Sequence, residues 1–176
     1  MKPELISSRS LYKGRIFDVT LDRIAENGGE YDREVVHHKG SAVIVPLFAD
    51  GTVALVRQYR HPAERSLLEI PAGSLNTGED PQLGAERELE EEIGVRAGKI
   101  EKLAEFWVSP GFLTEKMFLY IATDLIESSQ NLEDDEHIEI ERIPLSQAIE
   151  MALSGEIPDA KTIMGLLLTR EKHGLG

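Results

Sequence analysis

Residues 73–95 read Gly73-Ser74-Leu75-Asn76-Thr77-Gly78-Glu79-Asp80-Pro81-Gln82-Leu83-Gly84-Ala85-Glu86-Arg87-Glu88-Leu89-Glu90-Glu91-Glu92-Ile93-Gly94-Val95. Asp80 is a good helix N-cap, Pro81 suits the first helical position and Gly94 suits the position just past the end, so the stretch predicts a helix between them. Glutamate fills positions 86, 88, 90, 91 and 92, crowding the C-terminal end of that helix. Acidic side chains are disfavoured there by the helix macrodipole, and like charges three and four apart repel by roughly 0.2–0.5 kcal/mol per pair. Local choices that oppose good folding are where a functional site is expected. At 100° per residue Glu88, Glu91 and Glu92 share one face, with Arg87 placed to pair with Glu91 four residues on. Leu83 and Leu89 are left to anchor the helix to a core. Three carboxylates converging from a rigid helix make an oxygen-rich site suited to Mg²⁺ or Mn²⁺. The competing reading is a solvated charged face.

Around this stretch the composition narrows the choices. The chain has 176 residues, with 19 Lys plus Arg against 32 Asp plus Glu, a formal net charge of −13. That length suits one compact domain with a substantial core and room for a small appendage. The acidic balance argues against a general nucleic-acid or anionic-membrane binder. With no cysteine, disulfides, thiol nucleophiles and cysteine-based zinc sites are excluded. No long apolar run or secretory leader stands out, so a cytoplasmic protein is the expectation.

Strand signals dominate outside the helix. Ile16 to Val36 alternates around Asn27-Gly28-Gly29, an early β-hairpin. Ser41 to Phe48 and Thr52 to Arg57 are apolar, β-branched runs separated by Asp50-Gly51, which reads as a second hairpin. Leu67 to Ile70, Ile100 to Val108, Met117 to Asp124 and Ile138 to Ile143 complete the strands. Helices are expected over about Ser146 to Ser154 and Ala160 to Lys172. The mixture is α/β or α+β. Residues 1–40 are expected to form a small N-terminal β subdomain and residues 41–176 the main domain.

Several residues outside the helix have chemistry suited to a phosphate-bearing ligand. Arg57 and Arg60 follow a strand, and a guanidinium binds phosphate bidentately; exposed salt bridges are the alternative. Glu69 is flanked by apolar residues and either points into a cleft or caps a loop. The acidic run Glu133 to Glu136 reads as a solvated loop or as the source of a general base.

The spacing of Gly73, Glu79, Arg87-Glu88-Leu89, Glu91-Glu92 and Gly94-Val95 resembles the Nudix box at every specified position. Nudix hydrolases cut the pyrophosphate bond of nucleoside diphosphates linked to another moiety. The resemblance implies an α/β/α sandwich with a mixed sheet, and a divalent metal, Mg²⁺ or Mn²⁺, held by Glu88, Glu91 and Glu92 with the backbone carbonyl of Ala72. It implies a phosphate contact from Arg57, with Arg60 second. It places the general base on a loop after the box, where Glu136 matches best and Glu139 is next. Glu91 or Glu92 is the other source for that base.

Pro110, sixteen residues past Gly94, resembles the ADP-ribose pyrophosphatase subgroup, as does Asp159-Ala160-Lys161-Thr162. Leu113-Thr114-Glu115 departs from the subgroup's small-acidic-acidic run. Phe112 and Trp107 are candidates to stack on a base, and an N-terminal segment of this kind implies a homodimer. The implied reaction converts ADP-ribose and water to AMP and ribose 5-phosphate. GDP-mannose-type nucleotide sugars, a broad substrate range, and a catalytically silent nucleotide sensor are the alternatives.

Overall fold

A computed structural model describes residues 2–132 and 137–174. Two compact units emerge, one of Met1–Gly40 with Phe106–Met117 and one of Ser41–Glu105 with Phe118–Gly176.

The first unit is built on three strands, β1 (Glu4–Lys13), β2 (Phe17–Glu26) and β3 (Gly29–His38), in the order β1-β2-β3 and antiparallel throughout. The expected hairpin is β2–β3, with Asn27 and Gly28 both at positive φ in its turn. β1 lies outside the strands that the sequence pattern predicts. All ten of its residues are exposed, so Glu4-Leu5-Ile6-Ser7-Ser8-Arg9-Ser10 carries no inside–outside alternation from which a strand could be read. The segment carrying Pro110 and Phe112 pairs with β3: Val36 N–H donates to Phe112 O at 2.8 Å, and Thr114 N–H donates to Val36 O at 2.9 Å.

In the second unit β4 (Ser41–Pro46), β7 (Ala72–Ser74), β8 (Val95–Trp107) and β9 (Lys116–Glu127) form a sheet ordered β7-β4-β9-β8, the far ends of β8 and β9 belonging to the first unit. A second sheet is ordered β10-β5-β6, from β5 (Thr52–Arg60), β6 (Arg65–Glu69) and β10 (Ile138–Pro144). The helices are α1 (Pro81–Glu88), α2 (Leu145–Ser154) and α3 (Ala160–His173).

β4 explains the layering. Every residue of it is buried, as befits a strand covered on both faces. A Cβ on Gly84 of α1 would meet Ala42, and a Cβ on Gly165 of α3 would meet Val45. Residues 42 and 45 lie on opposite faces because side chains alternate along a strand. Helices therefore cover both sides of this sheet, with Ala42, Ile44, Ala85 and Leu89 in one apolar cluster. This is the expected α/β/α arrangement.

Two local expectations fail. Asp50-Gly51 does make a tight turn, with Phe48 N–H donating to Thr52 O at 2.9 Å and a lone bridge between Leu47 and Val53. Beyond that bridge β4 and β5 diverge into different sheets, because each has other partners to pair with. Leu83, expected to anchor α1, is 59% exposed, whereas Leu89 is fully buried. Gly84 and Ala85 make the contact instead, since only small residues let the helix approach β4 this closely.

Candidate active site

The acidic helix is capped as its residues dictate. The Asp80 side chain accepts from the backbone N–H of Gln82 at 2.9 Å and of Leu83 at 3.4 Å. Gly94 ends the helical run in the left-handed region at φ 73°. Between them the helix is not uniform. After Glu88 it widens into a π turn over Leu89–Ile93, a distortion frequent at functional sites. The carbonyls of this turn are taken up by the chain after β9. Asn131 N–H donates to Glu91 O at 3.0 Å, and the Gln130 side-chain amide donates to Glu92 O at 2.7 Å.

The glutamates separate into distinct environments. Glu90 turns away to Arg96 and Ser128, and Glu86 accepts from Gln82. Glu88 and Glu92 are buried, at 6% and 3% exposure. Arg87 donates to Glu88 at 2.6 Å, to Glu91 at 2.9 Å and to both oxygens of Glu79 at 3.0 and 3.2 Å, so the expected Arg87–Glu91 pair is part of a larger network. The hydrogen bond to Arg87, working against partial burial, holds the Glu79 carboxyl below its ordinary range. Glu92 accepts the Ala72 N–H at 3.2 Å, which brings the loop before the box against the helix.

Among the described residues no three acidic or histidine side chains are gathered into a ready-made metal cluster; Glu88 and Glu91 both turn to Arg87, and Glu92 to Ala72. The residues nonetheless fit a divalent cation. A Cβ on Gly73 would lie 1.9 Å from Glu88 Oε1, so the backbone stands open directly against a buried carboxylate. Hard cations such as Mg²⁺ prefer such carboxylate and carbonyl oxygens. Glu88, Glu91 and Glu92 with Ala72 are the residues that would hold it.

The two arginines point different ways. Alternation along β5 puts Arg57 and Arg60 on opposite faces. Arg57 bonds to Glu141 of β10, which holds the guanidinium above its ordinary pKa. It lines a small 200 Å³ pocket with Arg65 and Glu156. Arg60 donates to both oxygens of Glu69, each at 2.8 Å, and the charge of Glu92 reaches it as well. Glu69 is a buried carboxylate at 1% exposure, bonded to Arg60 and Lys161. The local signal at Lys161 is a cation in the first turn of a helix, the disfavoured end, just after the N-cap Asp159. Pro110 and Phe112 are exposed and lie in the first unit. Glu136 lies outside the described residues, and Glu139 is exposed on β10, opposite Arg57.

The NUDIX domain model matches residues 37–166. The chain belongs to the Nudix family. It is 34% identical to an ADP-ribose pyrophosphatase of Bacillus subtilis (strain 168), over 99% of this chain and 96% of that protein. It is 35% identical to a methanol dehydrogenase activator of Bacillus methanolicus, over 92% and 89% of the two chains. Identity reaches 38% with an ADP-ribose pyrophosphatase of Mycobacterium tuberculosis (strain ATCC 25618 / H37Rv), over 93% of this chain and 81% of that one. A crystal structure of an ADP compounds hydrolase shares the fold, with a TM-score of 0.86 at 24% identity, covering 100% of this chain and 97% of that one.

Proposed function

We propose that this chain is a Mg²⁺-dependent pyrophosphohydrolase that converts ADP-ribose and water to AMP and ribose 5-phosphate. The observation that carries the reading is a pair of buried carboxylates, Glu88 against backbone kept open by Gly73 and Glu92 against the Ala72 N–H, on a helix whose Arg87 is already committed to Glu79, Glu88 and Glu91. A divalent ion held there supplies charge neutralisation on the diphosphate and makes a nearby water more acidic. Arg87 orients Glu88 and Glu91, while Ala72 N–H orients Glu92. Arg60, half-exposed and within reach of the Glu92 charge, is the residue we assign to a substrate phosphate. Glu136 is assigned the general base by resemblance.

The nucleoside diphosphate class is supported by the relatives, two of which are named for ADP-ribose. With Mg²⁺ and a panel of ADP-ribose, GDP-mannose, NADH, FAD and nucleoside triphosphates, the expected result is AMP released fastest from ADP-ribose. Preference for GDP-mannose would keep the site and overturn the substrate. Hydrolysis of none would overturn the enzyme reading in favour of a nucleotide sensor.

The first unit is proposed as the contact of a cytoplasmic homodimer. Leu5, Ile6, Leu11 and Tyr12 of β1 are all about half exposed, an apolar edge that a monomer rarely leaves open. Sedimentation should give twice the 19.6 kDa chain mass; a monomer at micromolar concentration would overturn the contact.

A further inference from the structure

Lys161 stands where a lysine is doubly disfavoured. It is the second residue of α3, at the positive end of the helix dipole, and it is only 8% exposed. A buried ammonium is costly unless it is paired. The pairing is present: Lys161 Nζ bonds to Glu69 Oε2 and lies 3.1 Å from Asp159 Oδ2. Asp159 is in turn fixed as the N-cap of α3, accepting the N–H and the hydroxyl of Thr162 at 3.0 and 2.6 Å. Thr162 Oγ1 then accepts the N–H of Ile70 at 2.9 Å. One turn of α3 thus holds both the carboxylate of Glu69 and the backbone beside it.

Glu69 passes this constraint to Arg60. Its two oxygens accept from Arg60 Nε and Nη2, leaving Nη1 outside the pair. Burial opposes the ionised form of Glu69, but the bonds to Arg60 and the charge of Lys161 outweigh it and keep the carboxyl below its ordinary range. Were Arg60 the sole counter-ion, Glu69 would draw the guanidinium inward and neutralise it. With Lys161 sharing that charge, Arg60 keeps positive potential for an anionic ligand, and its orientation is set by a carboxylate that Lys161 holds in turn.

We propose that Lys161 is a positioning residue for the diphosphate substrate, acting through Glu69 to fix the guanidinium of Arg60 that takes a substrate phosphate. This rests on the reading that Arg60 takes a substrate phosphate.

The test compares Lys161→Gln, Arg60→Gln and the double variant in steady-state hydrolysis of whichever panel diphosphate the wild type turns over. Calorimetric binding of the same compound without metal is measured alongside. Lys161→Gln should raise KM about tenfold or more, as expected for losing a charged hydrogen bond, with a smaller change in kcat. Metal-free affinity should fall in parallel, while Mn²⁺ affinity stays at the wild-type value. Added to Arg60→Gln, the same change should raise KM little further, which a merely structural lysine would not do. An unchanged KM, or a full additional rise in the Arg60→Gln background, overturns the inference and leaves the proposed function standing. If Lys161→Gln does not fold, Glu69→Gln breaks the same chain with side-chain volume kept, and an unchanged KM there overturns it equally. A wild-type protein that hydrolyses no diphosphate overturns both readings together.

Discussion

Glu92→Gln is expected to remove turnover and leave the fold intact. Glu92 is buried and its carboxylate accepts the Ala72 N–H. Glutamine has the same volume and retains an oxygen for that bond, so the stability lost should be under about 1 kcal/mol, less than one ordinary hydrogen bond. The charge is what disappears. If this carboxylate holds a divalent cation, its loss removes several kcal/mol of transition-state stabilisation, roughly a 10²–10⁴-fold fall in kcat. Mn²⁺ affinity measured by titration should fall with it. Glu90→Gln is the control, because Glu90 is committed to Arg96 and Ser128 and should leave turnover near wild type. A Glu92→Gln protein with wild-type activity would show that the metal is held elsewhere. Equal losses in both variants would show that general acidity, not position, matters.

The contrast between Glu92 and Glu90 also measures what the sequence makes legible. Spacing alone separated Glu88, Glu91 and Glu92 from their acidic neighbours, because helical periodicity is a local property. Asp80, Pro81 and Gly94 were legible for the same reason, each acting within a few residues of its own position. The π turn over Leu89–Ile93 was not, since it depends on Asn131 and Gln130 arriving from the far end of β9. Nor could spacing say which carboxylate each of Arg57 and Arg60 pairs with. Those partners follow from which face of β5 turns toward Glu69 and which toward Glu141, and so from sheet pairings distant in sequence. The set of Arg60, Glu69, Lys161 and Asp159, buried at Glu69 and Lys161, joins β5, β6 and α3 over about a hundred residues of chain. No single segment reveals it, although the misplaced cation at the start of α3 hints that something must answer its charge. The same limit applied to Leu83, whose apolar character suggested burial that the small residues Gly84 and Ala85 took instead.

Gly73→Ala separates the needs of the site from those of the fold in the opposite way. Gly73 pairs with Ala42 in the β4–β7 register, and nothing in its backbone demands glycine by φ. The constraint is space, because an added Cβ would fall 1.9 Å from Glu88 Oε1, 2.1 Å from its Cδ and 2.4 Å from Oε2. Such overlap cannot persist, and the cheapest relief is rotation of the flexible glutamate rather than movement of a sheet strand. Stability should therefore drop by only about 1–3 kcal/mol, the range for a local overpacking. Activity should fall far more, because displacing a positioning group by an ångström costs about 10²-fold. The expected outcome is a cooperative melt a few degrees below wild type, with turnover and Mn²⁺ affinity both largely lost. Gly84→Ala provides the comparison. Its Cβ would press on Leu75 and Ala42 in the core, so it should lower the melt while the remaining folded protein keeps its activity. If Gly73→Ala retained full turnover, Glu88 would not need the position in which it stands, and the open backbone beside it would be a requirement of strand pairing alone.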